Sequence, residues 1–133
     1  MKKPSDPDSQ KTTGSDPAAD HLANGIRVLR AEKNQPLSEV EAEARLHQEG
    51  YESFRWHDVP GVVYPRHRHE QDECLWVLEG VLDIALTDVP SQTIRLQPGD
   101  RIYLPARAPH CASTPTDSAP NGVTYLVGQK TAQ

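Results

Sequence analysis

The chain has 133 residues, 35% of them apolar and 25% charged, with a formal net charge of −5. That length fits one domain with a real core, although the apolar share is lean. An acidic balance without a long basic block argues against a nucleic-acid partner, and no apolar run reaches the length of a membrane span.

Residues 1–25 are rich in Ser, Asp, Pro, Thr and Lys and almost free of large apolar side chains. Such a segment cannot offset its ordering entropy by burial, which predicts a disordered tail. It also lacks the apolar stretch of a secretory signal, so a cytoplasmic protein is expected. His21 lies inside this tail and receives no role. The folded domain is predicted at 26–133.

Ile26 to Arg30 alternates and reads as a short edge strand. Leu37 to Gly50 alternates as well, at Val40, Ala42, Ala44 and Leu46, yet it is built from Ala, Glu, Arg, Leu and Gln. These are strong helix formers. Ser38 and Glu41 have the spacing of a capping box, and Gly50 stands where a C′ residue would. The stretch predicts one short helix with Leu37, Val40 and Ala44 toward the body. His47 is expected on its surface.

From Tyr51 onward the pattern is β. Residues 51–59, 62–69, 72–79, 81–88, 93–97, 101–105, 110–114 and 122–129 read as strands. Pro60-Gly61, Asp88 to Ser91 and Pro98-Gly99-Asp100 read as turns. About eight short strands punctuated this way indicate an all-β sandwich or barrel. In 72–79 one face carries Glu73, Leu75 and Val77, and the other carries Cys74, Trp76 and Leu78. A strand apolar on both faces is covered on both, here by the helix or by a second copy of the chain. A homodimer is therefore expected.

The chemistry concentrates between Gly61 and Gly80. His67 and His69 are two apart, so on a strand they share a face, and Glu73 follows at an even step. Two imidazoles and a carboxylate suit one divalent transition metal per chain: Fe(II), Mn(II), Ni(II), Cu(II) or Zn(II). No Cys-x-x-Cys is present, so a closed structural zinc site is a poor reading.

These residues carry a resemblance to the cupin superfamily. Gly61, His67, His69, Glu73 and Gly80 occupy every anchor of the first cupin motif. Gly99, Pro105 and His110 match the second motif, with Arg107 standing where that motif has Gly and Thr114 where it has Asn. The motifs fall at 61–80 and 99–114. The resemblance implies a double-stranded β-helix, or jelly-roll, barrel with one short N-terminal helix. It also implies a fourth metal ligand, His110, beside His67, His69 and Glu73. By the same resemblance the expected function is a mononuclear Fe(II)-type dioxygenase acting on a small organic molecule, with Glu73 also moving a proton. Cupins include isomerases, decarboxylases, lyases and ligand-sensing modules, so the reaction does not follow from the ligands alone. A metal-free structural cupin is the blandest alternative.

Other residues are weaker candidates. Tyr103 either lines the cavity or packs outside it. Arg107, three before His110, is a candidate clamp for an anionic substrate. Trp56 and His57 face opposite ways, so at most one reaches the pocket. Cys74 and Cys111 each follow a ligand directly, and alternation turns them away from the metal. Two reduced, packed thiols are expected.

Overall fold

The computed structural model describes residues 19–21, 25–31, 38–87, 92–118 and 120–130. The first 18 residues of the predicted tail, Leu37 and the predicted turn at Asp88 to Ser91 lie outside them. The strands are β1 (Ala19–His21), β2 (Arg27–Leu29), β3 (Tyr51–Asp58), β4 (Val63–His67), β5 (Glu73–Glu79), β6 (Leu82–Leu86), β7 (Gln92–Leu96), β8 (Arg101–Leu104), β9 (His110–Ser113) and β10 (Val123–Lys130). The helix, α1, is Glu39–Gln48. A six-stranded sheet in the order β1-β2-β8-β5-β10-β3 faces a four-stranded sheet in the order β4-β9-β6-β7. Every pairing is antiparallel. This is the all-β jelly roll that the pattern predicts, and the eight strands from Tyr51 onward are those read from the sequence.

Two expectations at the N-terminal end are corrected. Residues Ala19–His21 pair with β2, so regular structure begins before residue 26. Strand β2 is consequently an inner strand, flanked by β1 and β8.

The core lies between the sheets, where Leu75, Val77, Leu82, Ile84, Leu96, Ile102, Leu104 and Val123 are buried. A second cluster sits on the outer face of the larger sheet. There Ala42 and Leu46 of α1 cover Cys74, Trp76, Tyr103 and Leu126. Strand β5 is thus covered on both faces, and the outer cover is the helix.

Ser38 caps α1 as predicted, its hydroxyl accepting from the Glu41 N–H at 3.3 Å. Gly50 follows the helix at φ +94°, a conformation that glycine enters without a Cβ clash. The buried face differs from the prediction. Ala42 and Leu46 point inward, while Val40 is 73% exposed and Ala44 is exposed. Leu46 packs over Gly128 of β10, where an added Cβ would meet its methyls at an ordinary contact distance of 3.5 Å.

The Pro98-Gly99 turn is fixed from one side chain. Asp100 is buried and accepts from the Gln97 N–H at 2.9 Å, the Ala31 N–H at 2.8 Å and Arg30 Nη1 at 2.9 Å. It ties the chain after β2 to the entry of β8.

Candidate metal centre

Strand β4 carries an irregularity that decides which of its side chains face inward. Its register against β9 runs Tyr64 opposite Ala112, then His67 opposite His110. Three residues of β4 thus span two of β9, a bulge around Pro65 and Arg66. β4 is an edge strand, where a proline costs no ladder hydrogen bond. Without the bulge Tyr64 and His67 would face opposite ways. With it both line one cavity.

Backbone hydrogen bonds bring the second segment to the first. The Arg107 N–H donates to the His69 carbonyl at 2.7 Å, and the Ala106 N–H to Asp72 Oδ1 at 2.8 Å. Further along, the Gly61 N–H donates to the Thr114 carbonyl and the Thr114 N–H to the Val62 carbonyl, both at 2.8 Å. Thr114 therefore holds its loop through the main chain, without needing the Asn of the cupin pattern. Arg107 has φ +69°, the left-handed conformation that the motif's glycine would take.

His67, His69 and His110 offer ligand nitrogens that all lie within 4.8 Å of one another. Their ring centres are 4.4 Å apart for His67–His110, 4.9 Å for His67–His69 and 5.7 Å for His69–His110. Glu73 Oε1 lies 3.5 Å from His69 Nε2 and 3.8 Å from His110 Nε2. Nδ1 of His67 donates to the Pro65 carbonyl at 2.7 Å, and Nδ1 of His110 to the Ala108 carbonyl at 3.0 Å. A carbonyl only accepts, so these bonds place the ring proton on Nδ1 and leave the Nε2 lone pair free. This is the orientation that a metal-binding histidine needs.

Electrostatics at the buried end of the site favour a neutral His110. Burial pushes the His110 pKa down to about 4, with the two neighbouring histidines acting the same way. His110 therefore stays uncharged at neutral pH. Burial pushes the Glu73 carboxyl up, while His69 and a hydrogen bond from Gln129 pull it back. Gln129 Nε2 reaches Glu73 Oε2 at 3.3 Å, directly across the β5–β10 pairing. Three imidazoles beside a buried carboxyl group form a donor set that fits a borderline divalent ion.

The four groups sit at the base of a cavity of about 400 Å³. Its walls include Phe54, Trp56, Tyr64, Leu75, Tyr125 and Val127. Of the adjacent pair, Trp56 reaches the cavity, and His57 instead bonds Thr124 Oγ1 at 2.8 Å. Tyr103 does not line the cavity. It lies on the outer face under α1, its hydroxyl donating to Glu49 Oε1 at 2.6 Å. Ile102 and Leu104 hold the inward phase of β8, so Tyr103 points out. Arg107 lies outside the lining too, its guanidinium 3.5 Å from exposed Glu70. Both cysteines are free. Cys74 packs under the helix, where burial raises its pKa above the usual thiol range.

Sequence reasoning missed Tyr64, Tyr125, Gln129 and Asp58. Pro65 within a strand was the available sign that β4 changes phase. Tyr125, Val127 and Gln129 alternate along β10 and share the inward face. Asp58 is buried at the end of β3, accepting from Trp56 Nε1 at 3.0 Å and from the hydroxyls of Tyr64 at 2.7 Å and Tyr125 at 2.8 Å.

Fold and site together define a jelly roll with a histidine cluster at the floor of a part-open cavity. The chain belongs to the cupin domain family, whose model (Cupin_2) matches residues 54–124. No curated protein matches it. Among solved structures it is similar to a cupin 2 domain-containing protein from Halorhodospira halophila, at 21% identity over 80% of this chain and 78% of that one, with a TM-score of 0.60. RmlC from Streptococcus suis, solved with dTDP-D-xylose, gives 12% identity over 87% and 70% with a TM-score of 0.58. The DMSP lyase DddQ from Ruegeria pomeroyi DSS-3 gives 24% identity and a TM-score of 0.51, over 62% of this chain but only 39% of the lyase. At these identities the likeness is one of fold. No helix among the described residues is long and apolar enough to cross a membrane.

Proposed function

We propose that the chain is a mononuclear metal-dependent cupin enzyme acting on a small organic molecule, and that its reaction is dioxygenation on Fe(II). The observation that carries the metal is the convergence of His67, His69 and His110 on one point beside Glu73, with two Nδ1 protons engaged by backbone carbonyls. These four residues would hold the ion. Bound there, it would supply Lewis acidity and, as Fe(II), one-electron chemistry toward dioxygen.

The protein's own groups do the rest. His110 is buried and neutral, so it need not lose a proton before binding the ion. Glu73 sits at the base of the cavity, where it can take a proton from a substrate hydroxyl, and Gln129 keeps its second oxygen oriented. The apolar walls lower the local dielectric and strengthen each electrostatic contact beside them.

The test is oxygen uptake. Protein purified and loaded anaerobically with Fe(II) is challenged with catechols, flavonols, thiols and small keto acids in an oxygen electrode. Uptake matched to product that carries both oxygen atoms supports the reading. Conversion of a substrate under strict anaerobiosis would replace dioxygenation by isomerase or lyase chemistry.

A further inference from the structure

One end of the cavity is polar, formed by the three histidines, Glu73 and Gln129. The opposite wall is aromatic, and its polar atoms are already engaged. Asp58 lies behind the rings, is not part of the lining, and accepts from Trp56 Nε1, Tyr64 Oη and Tyr125 Oη at 2.7–3.0 Å. All three donors turn toward that carboxylate, so the wall presents ring surface to the cavity and offers a ligand no hydroxyl or indole proton. Among the described residues no Lys or Arg lines the cavity, and Glu73 is its single carboxylate. A phosphate or sugar acid entering here would lose its water without meeting a fixed cation. A polyhydroxylated sugar would find no hydrogen-bond donor along the wall and only the two phenol oxygens as acceptors.

We propose that the site selects a small uncharged molecule with a flat apolar body, seated against Trp56, Tyr64 and Tyr125, and one oxygen end directed at the histidines, with Asp58 as the positioning residue that keeps the wall free of donors. The oxygen end rests on the metal reading above; the wall does not. An organic cation is the competing ligand, since aromatic faces attract cations. A bound divalent ion offsets the charge of Glu73 and disfavours it.

The experiment is calorimetric titration of the full-length chain, Zn(II)-loaded and chelator-treated, with four matched probes. They are 2-naphthol, 2-naphthyl phosphate, decahydro-2-naphthol and a naphthyl-trimethylammonium salt. The zinc-loaded protein should bind 2-naphthol at least tenfold more tightly than each of the other three. The preference for the flat over the saturated alcohol should persist after chelation, at lower affinity. Asp58→Asn puts an amide donor against the phenols and should reduce the naphthol-to-phosphate ratio at least threefold.

Equal or tighter binding of the phosphate or the ammonium salt would overturn the proposal. So would no binding of any probe. Failure of the metal reading alone looks different: zinc would not change naphthol affinity, while the flat-over-saturated preference would survive.

Discussion

Replacing Glu73 by glutamine should raise the stability of the metal-free protein and lower that of the metal-loaded one. Glu73 is 4% exposed, and its hydrogen-bonded side-chain neighbour is the Gln129 amide at 3.3 Å. Burial disfavours its charged form, which is why its pKa is raised. Glutamine keeps the shape and removes the buried charge, so the metal-free variant should gain about 1 kcal/mol, or about 3 °C in Tm for a chain of this size. With metal the sign reverses. Metal held at 100 times its dissociation constant stabilises the native state by about 2.7 kcal/mol. Losing a direct ligand should weaken binding by at least about 100-fold, the upper end for loss of a mere supporting contact. The variant would then gain only about 0.4 kcal/mol from the same metal. Urea denaturation of both proteins, with chelator and with buffered zinc, measures the crossover. A variant less stable than wild type in chelator, yet stabilised equally by zinc, would refute a ligand role and leave Glu73 a structural residue.

In metal-free protein His110 titrates near 4 when folded, against 6.5 as an ordinary histidine. The unfolded chain therefore takes the proton first, and this residue removes up to about 3 kcal/mol of stability as pH falls from 6.5 to 4. Glu73 acts oppositely: its folded pKa is raised above 4.5, so its contribution is present below that and is lost as pH rises. His110→Gln should flatten the acid side of the stability profile in urea titrations, and superimposable profiles would contradict the burial argument. Gly80→Ala should cost about 3 kcal/mol by thermal unfolding, because φ is +84° and a Cβ would overlap the Gly122 carbonyl oxygen and come within 2.9 Å of Val123 Cα. Arg107→Gly should stabilise by up to about 1 kcal/mol, since it relieves a left-handed residue whose side chain, among the described residues, pairs with exposed Glu70; a measured loss would mean that the arginine does more than occupy the turn.

Much of the framework is legible in the sequence because it depends on local chemistry. Ser38 and Glu41 announce the start of α1, and Gly50 its end, through hydrogen bonds and a backbone angle that neighbouring residues fix. The histidine and glutamate spacing is legible as a motif, although β4 ends at His67 and Glu73 opens β5, so strand alternation is not what brings His69 and Glu73 to the site. What was hidden depends on contacts made elsewhere. Leu37, Val40 and Ala44 form as good a helical face as Ala42 and Leu46; the choice is made by packing against the sheet, where Leu46 sits over Gly128, some eighty residues away. Tyr103 is ambiguous by one residue of strand phase, and such a slip inverts a face. Tyr64 is hidden by the bulge at Pro65, which breaks the even-step rule within β4. Asp58 could not be read as the anchor of the aromatic wall, because its three donors come from three strands.

The most direct test is elemental analysis of freshly purified protein alongside His67→Ala and His110→Ala. The wild type should carry close to one divalent transition ion per chain, removable by chelator and restored on reloading. Each variant should stay folded by circular dichroism and hold almost none. Full occupancy in the His110→Ala protein, or a wild type that accepts no ion under any loading condition, would contradict the account.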